Sequence, residues 1–183
     1  MKKRCIIQSE RLCLRQWVPS DIQEFYALCS DQDVMEFFPA TLTLTEVEKS
    51  ILRFSKHIEI NGFGFFATEL KETNEFIGFI GFQRLDMEAD FTPCIEIGWR
   101  LKKKAWGKGF ATEGAKACIQ YVFDENISSE IYSFTAEINK RSERVMQKIG
   151  MSQTGYFNHP KLDEDSPLLR HVLYKIEKDE DKV

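Results

Sequence analysis

The sequence predicts one domain of the α/β (α+β) class. Three observations carry this expectation. Segments with the two-residue period of strands alternate along the chain with segments of helical period. Two strand segments, residues 63–70 and 76–84, are apolar on both faces, which places them centrally in a sheet with helices on each side. The chain has 183 residues, 43% of them hydrophobic, enough for one well-buried core, and no internal repeat or low-complexity stretch divides it.

The elements follow in order. Residues 11–17 alternate apolar Leu12 and Leu14 with charged Arg11 and Arg15, the pattern of a half-buried strand ended by Pro19. Ser20 or Asp21 caps a helix whose Ile22, Phe25, Tyr26 and Cys29 share a face, and Asp31 starts a short turn through Phe37. Thr43 and Glu46 have capping-box spacing, with Leu42 and Val47 as the hydrophobic staple, so a second helix starts there. Its buried stripe is Val47, Ile51, Phe54 and Ile58, and Asn61-Gly62 stops it. The two apolar strands bracket a polar turn at 71–75 and read as a hairpin. After an acidic loop at 86–90 come a strand at 94–101 and a helix at 109–123 that buries Ala111, Ala115, Cys118 and Val122. A strand at 131–138, a helix at 140–149 ended by Gly150, and two strands around Tyr156 and at 171–176 complete the domain. The tail, 177–183, is charged and expected to fray.

Composition excludes several classes. The apolar stretch after the basic N-terminus, Cys5-Ile6-Ile7, is far too short for a signal peptide, and no segment is long enough to span a bilayer, so no membrane role and a cytoplasmic location are expected. Five scattered cysteines (Cys5, Cys13, Cys29, Cys94, Cys118), an odd number without a Cys-x-x-Cys pair, are expected to be reduced thiols. The three histidines lack ligand spacing, so no metal site is expected; His159 and His171 read as surface or packing residues. A net charge of -4 disfavours nucleic acid as a partner.

Against that acidic balance, residues 97–112 (IGWRLKKKAWGKGFAT) hold five cations and no carboxylate. An apolar strand leads in and a helix follows, so Gly107 and Gly109 fall where the helix begins. The first helical turn has N–H groups without intrahelical partners and the positive end of the macrodipole, and it binds anions. Glycines let a phosphate approach the main chain and make positive φ inexpensive; Lys104 and Lys108 add charge. No Gly-x-x-x-x-Gly-Lys-Ser/Thr string occurs, and Gly107-x-Gly109 runs on to Thr112, so neither the Walker loop nor the dinucleotide fingerprint fits.

The string Lys104-Ala105-Trp106-Gly107-Lys108-Gly109 resembles the coenzyme A pyrophosphate loop of the GNAT acetyltransferase superfamily. Glu96-Ile97-Gly98-Trp99, then Trp106 through Glu113 (WGKGFATE), and Asn139-x-x-Ser142-x-x-Val145-Met146-x-Lys148-x-Gly150-Met151 resemble its Rim-type branch, which includes N-terminal acetyltransferases of ribosomal proteins. Glu10-Arg11-Leu12-x-Leu14-Arg15-x-Trp17 with Asp21 also matches, so the similarity covers nearly the whole chain and is weakest at 42–61. The resemblance implies a mixed twisted sheet of about seven strands flanked by four or so helices, in one domain over 1–183, with the element order β-α-α-β-β-β-α-β-α-β-β.

It also implies acetyl-CoA as co-substrate, held by Ile97, Gly98, Trp99, Lys104, Trp106, Gly107, Lys108, Gly109, Phe110, Ala111, Thr112 and Asn139. An acetyl thioester is attacked by a neutral amine, so the site must accept a proton, stabilise an oxyanion and assist the departing thiolate. An α-amine with a pKa near 8 is about a tenth neutral at pH 7, whereas a lysine amine near 10.4 is neutral to well under a thousandth, so an α-amine needs only a mild base.

By the resemblance Glu96 is that base, acting through a water; alternatively it faces solvent or pairs with a lysine. Ser142 is the donor to the sulfur and Asn139 a ligand of the pantetheine arm; alternatively Asn139 caps the helix and Ser142 is a first-turn residue. Gly98 marks either a bulge that frees strand N–H and C=O groups or ordinary packing against a large side chain. Trp99 and Trp106 flank the cofactor or anchor packing. Lys140, Arg141 and Arg144 reach the ribose phosphate or form a solvated face. A tyrosine general acid common in the superfamily aligns with Met146 and is missing; Tyr132, Tyr156 and Tyr174 are the available phenols.

The expected function is acetyl-CoA-dependent N-acetyl transfer, an acyl transfer of a non-amino-acyl group, to a primary amine in a ternary complex. The acceptor is a protein N-terminus, or a small amine such as a polyamine or antibiotic-like amine, towards which the acidic loops 86–90 and 163–165 point. The alternatives are a coenzyme A binding or sensing domain without turnover, and a nucleotide- or nucleic-acid-binding module. Monomer and homodimer both stay open.

Overall fold

A computed structural model describes residues 5–179; the N-terminal residues 1–4 and the last part of the tail, 180–183, lie outside the described residues. The chain begins with two short antiparallel strands, β1 (Cys5–Gln8) and β2 (Leu12–Arg15). They are followed by α1 (Asp21–Cys29), α2 (Leu44–Asn61), β3 (Phe65–Leu70), β4 (Phe76–Leu85), β5 (Cys94–Leu101), α3 (Phe110–Asp124), β6 (Glu130–Ala136), α4 (Lys140–Lys148), β7 (Ser152–Asn158) and β8 (Arg170–Glu177). All elements expected from periodicity are present. β1 is additional, and makes eight strands rather than about seven; its four residues are too few to show a period.

Local chemistry accounts for the helix ends. Thr43 Oγ1 accepts from the Glu46 N–H while Glu46 Oε2 accepts from the Thr43 N–H at 2.8 Å, closing the capping box. Gly62, at φ 80°, ends α2 in the left-handed conformation. Val47, Ile51, Phe54 and Ile58 are the buried residues of α2.

All strands join one sheet in the order β1-β2-β3-β4-β5-β6-β8-β7, antiparallel except for the parallel pair β5–β6. On one face, Phe25 of α1 and Phe54 of α2 pack with Trp17 onto Phe65 and Phe79 of β3 and β4. On the other, Gly114 of α3 lies against Ile80 and Leu12, and α4 sits beside α3. Each buried phenylalanine contributes about 1.5–3 kcal/mol by burial. The Trp17 indole N–H donates to Phe65 O at 2.7 Å, so the buried ring leaves no orphan donor.

The N-terminal strands are tied down twice. Arg15, 1% exposed, donates both Nη atoms to Asp21 at 2.7 and 2.9 Å and Nε to Glu69 at 2.7 Å, joining β2, the start of α1 and β3. Cys5 and Cys13 form a disulfide, which corrects the expectation of five reduced thiols: antiparallel pairing of β1 with β2 sets their Cα atoms 5.3 Å apart, a proximity that residue spacing does not reveal. Cys29, Cys94 and Cys118 are free. His171 is buried in an aromatic group with Phe134, Phe157 and His159, and burial pushes its pKa down to about 4, consistent with a packing role.

β5 positions the site. It pairs with β4 along its whole length, from Cys94↔Leu85 to Leu101↔Gly78, but with β6 at one register, Glu96↔Tyr132. The Ser133 hydroxyl donates to Ile97 O at 3.0 Å, and beyond that bond the two strands part.

Replacing Asp21 by alanine leaves the Arg15 guanidinium buried with only Glu69 opposite, and is expected to destabilise the fold by about 3–5 kcal/mol, read from the midpoint of urea unfolding.

Candidate active site

After β5 the chain makes a 3-10 turn (Lys103–Ala105) and enters α3 through Gly107 and Gly109, whose φ angles are 73° and 81°. A left-handed glycine at the N-cap leaves α3 with no side-chain cap. The first backbone bond into the helix is from Glu113 N to Gly109 O, so the N–H groups of residues 107–112 have no partner among the described residues. Gly107, Lys108 and Gly109 are exposed; Ala111 and Thr112 are half-buried, and Phe110 is buried. This is an open cluster of amide donors at the positive end of a helix, a fit for a phosphate or diphosphate.

The cations are distributed differently from the expectation of one basic patch. Lys102 pairs with Glu24, Lys103 with Asp33 and Lys104 with Glu75. Arg100 lies on the opposite face of the sheet, against Phe38 and Phe79. Lys108 alone of the five cations stands exposed without an ion pair among the described residues. These partners come from α1, the loop after it and the β3–β4 turn, so a count along the run does not see them.

Sequence reasoning missed one cation that the fold brings in. Arg11, in the β1–β2 turn and 45% exposed on its side chain, lies over the Phe110 ring at 4.5 Å. Its Nη2 is 3.6 Å from the position a Gly109 Cβ would occupy. It is held by Glu113, whose Oε2 accepts from Arg11 Nε at 2.6 Å and whose Oε1 accepts from Ser9 Oγ and Arg11 N at 2.6 and 2.8 Å. Its pairing with Glu113 was the available signal: both residues fall inside the motif blocks, but nothing local links them.

The gap between β5 and β6 adds backbone groups. The strand alternation that aims Ile97 C=O at Ser133 aims the N–H and C=O of Trp99 into the gap. The next carbonyl on that side, Leu101 O, accepts from the Trp106 indole at 2.8 Å. Trp106 also lies under the Arg141 guanidinium at 4.3 Å, and Arg141 pairs with Glu36 at 2.6 Å, so this arginine, though exposed, bridges the start of α4 to the loop before α2. Lys140 pairs with Glu143. Ile97 and Trp99 pack with the core.

Glu96 lies on the other face of β5, where Gln83 Nε2, directly across on β4, donates to its Oε2 at 3.0 Å. Burial pushes the Glu96 carboxyl above its ordinary value, against the smaller opposing effects of Gln83 and the Arg53 charge. Glu96 thus neither pairs with a lysine nor faces bulk water freely. Gly98 is not a bulge: β4–β5 pairing is continuous through it, and an added Cβ would meet Phe65 Cε1 at 3.3 Å. Packing of the Phe65 ring explains this glycine.

At α4, both polar ends of Asn139 are engaged: Oδ1 accepts from Ser142 N at 3.2 Å as the helix cap, and Nδ2 donates to Thr135 Oγ1 at 2.8 Å. The Ser142 hydroxyl is half-buried and has no partner among the described residues. Met146 is 1% exposed and belongs to the core. Of the phenols, Tyr174 donates to Glu143 and accepts from Gln147, both on α4, Tyr132 donates to Glu130, and the exposed Tyr156 ring lies under Arg170. Among the described residues no group of three or more His, Cys, Asp or Glu side chains is arranged to hold a metal ion.

Comparison with known proteins agrees with this architecture. The chain belongs to the GNAT acetyltransferase family, whose domain model, described as Acetyltransferase (GNAT) domain, matches residues 11–152. It is 31% identical over 151 residues to YnaD of Bacillus subtilis (strain 168), named as an uncharacterized N-acetyltransferase, covering 82% of this chain and 85% of that one. A GNAT-family acetyltransferase from Bacillus anthracis superposes with a TM-score of 0.78 at 29% identity, covering 93% and 97% of the two chains. The ribosomal-protein-S5-alanine acetyltransferase from Vibrio fischeri has a TM-score of 0.74 at 17% identity over 96% and 98%, a likeness of fold alone. This chain is therefore an acyltransferase of the GNAT type, dependent on acetyl-CoA.

The Gly109 Cβ position is spacious but its φ is 81°, so Gly109→Ala is expected to lower stability through backbone strain alone, by about 1–2 kcal/mol. Gly155→Ala, with open space and no positive φ, is the control expected to leave the denaturation midpoint nearly unchanged.

Proposed function

We propose that this chain transfers the acetyl group of acetyl-CoA directly to a primary amine, a protein N-terminus or a small amine, in a ternary complex without a covalent enzyme intermediate. The observation that carries this reading is the set of unpartnered N–H groups at 107–112, on the loop whose motif resembles the coenzyme A pyrophosphate loop of the family. Lys108 and Arg11 supply the adjacent positive charge, and Trp106 with Ile97 and Trp99 lines the route from that loop into the β5–β6 gap. A Rim-type choice of acceptor rests on motif resemblance, and a cytoplasmic setting on the apolar patterning of the sequence alone.

Acetyl-CoA supplies the activated acyl carbon. The chain's residues supply the rest. Glu96, as carboxylate, takes the amine proton through a water as the N–C bond forms, and Gln83 fixes its orientation. Trp99 N–H is directed to the thioester oxygen. Ser142 Oγ, free of other partners, donates to the sulfur as the C–S bond breaks, and the thiol takes its final proton from solvent. Asn139 holds the first turn of α4, and through it Ser142, in place. A second reading, coenzyme A binding without turnover, is favoured by the core position of Met146, which leaves no tyrosine at the usual acid position.

The test is thiol release with a panel of amines. Turnover with any amine supports catalysis, while tight coenzyme A binding with no product supports the second reading. Gly109→Glu sets an anion beside the diphosphate and is expected to abolish cofactor binding by calorimetry; retained affinity overturns the loop assignment.

Glu96 works deprotonated and its pKa is raised, so kcat/KM is expected to fall as pH drops through a value above the ordinary 4.5. Glu96→Gln removes this limb and lowers kcat by about 100-fold or more. Ser142→Ala keeps the main-chain N–H that Asn139 caps, so it is expected to lower kcat about tenfold with acetyl-CoA affinity unchanged.

A further inference from the structure

Two buried nitrogens on the α1/α2 side of the sheet, Arg100 Nε and His57 Nε2, have no hydrogen-bond partner among the described residues. Arg100 projects from β5 opposite Phe79, on the face that carries Gly98 and Glu96. Its guanidinium lies 3.9 Å from the Phe38 ring centroid and 5.6 Å from that of Phe79, and its one hydrogen bond is from Nη1 to Cys29 Sγ at 3.4 Å. No carboxylate pairs with it among the described residues.

A buried arginine elsewhere shows how this fold treats a structural guanidinium. Arg15 has three bonds to Asp21 and Glu69 and a fourth to Gln16 O. Arg100, by contrast, is half-buried against the Phe38 and Phe79 rings, which offset part of its desolvation, and its buried Nε has no partner among the described residues.

The surroundings add charge of the same sign. Arg53 on α2 acts electrostatically on Arg100, Glu96 and His57, and Arg84 acts on His57. Glu96 is the carboxylate of this β5 face, and its burial disfavours its charge. The acidic residues of loops 86–90 and 163–165 are exposed, where water and salt screen them. A polycation entering here meets fixed positive charge, whereas an anionic group meets unfilled donors.

On the reading that this chain is an acetyltransferase, we infer that its acceptor is a small primary amine carrying an anionic group, a carboxylate or phosphate, a few bonds from the nitrogen. The amine sits at Glu96 and Gly98, and the anion at Arg100 with Arg53 alongside. Gly98 and Arg100 are two residues apart on one strand face, with Cα atoms about 7 Å apart. Polyamines and polycationic antibiotics are disfavoured by the same charges.

The experiment compares acceptors of equal reach by thiol release: β-alanine, phosphoethanolamine and ethanolamine, then phenylalanine against 2-phenylethylamine, with spermidine as the polycation. The expected result is a kcat/KM at least tenfold higher for the anionic member of a set than for its neutral-tailed twin. Preference for β-alanine or for phosphoethanolamine distinguishes carboxylate from phosphate. Arg100→Gln is expected to raise KM for the anionic acceptor about tenfold and to narrow the gap to its twin, with acetyl-CoA affinity unchanged. Arg53→Gln, at an exposed position, is expected to move KM in the same direction and serves if Arg100→Gln does not fold. Equal or better turnover of ethanolamine, 2-phenylethylamine or spermidine overturns this inference and leaves the acetyltransferase reading standing. Absence of thiol release with every amine, despite cofactor binding, overturns both.

Discussion

The unequal pairing of β5 is the constraint on which the site depends. Along one edge β5 is held by β4 from end to end; along the other it touches β6 at a single register before the strands part. Because strand bonds alternate sides, the parting leaves the N–H and C=O of Trp99 facing a gap, while the residues bonded to β4 keep the strand straight. The same strand then delivers the chain to Gly107 and Gly109, so the gap and the anion-binding helix start are consecutive in sequence and adjacent in space. Glu96 and Arg100 emerge on the opposite face. On the proposed function, one strand thus separates a cofactor side from an acceptor side, as a direct transfer between two bound molecules requires.

Charge in this molecule acts by position and not by tally. Five cations within residues 97–112 look like one polyanion site, yet three are neutralised by acids of α1, the following loop and the β3–β4 turn. A fourth, Arg100, faces away. The proposed anion site would therefore rely chiefly on backbone donors, with Lys108 and Arg11 as adjuncts. Fixed amide dipoles bind an anion without the side-chain entropy that long lysines lose on being ordered.

Features set by neighbours in sequence were readable there. The Thr43/Glu46 box, the Gly62 stop, the 47/51/54/58 stripe and the αL glycines at 107 and 109 each depend on residues within a turn or two, and each is found as expected. Features set by long-range pairing were not. The Cys5–Cys13 bond joins diagonal positions where β1–β2 pairing shifts register, the Phe65 ring decides why position 98 is glycine, and Arg11 reaches α3 across about a hundred positions of chain. For Asn139 the local reading and the functional one make the same residue choice, and only the hydrogen bonds to Ser142 and Thr135 show that the cap is formed.

Glu113 illustrates how the fold reconciles a carboxylate with an anion site. It stands in the first turn of α3, where an acid favours the helix dipole but would repel a bound diphosphate. Burial alone would raise its pKa, but hydrogen bonds from Ser9, the Arg11 N–H and the Arg11 guanidinium outweigh that and hold the carboxyl below its ordinary range. Its negative charge is thereby matched locally by Arg11, and the pair presents a guanidinium, not a carboxylate, towards Gly109. The β1–β2 turn that supplies Arg11 is anchored by the disulfide on one side and the Arg15 network on the other. The terminal hairpin thereby fixes the guanidinium that stands beside the proposed anion site, and its short strands are fastened at both ends of that turn.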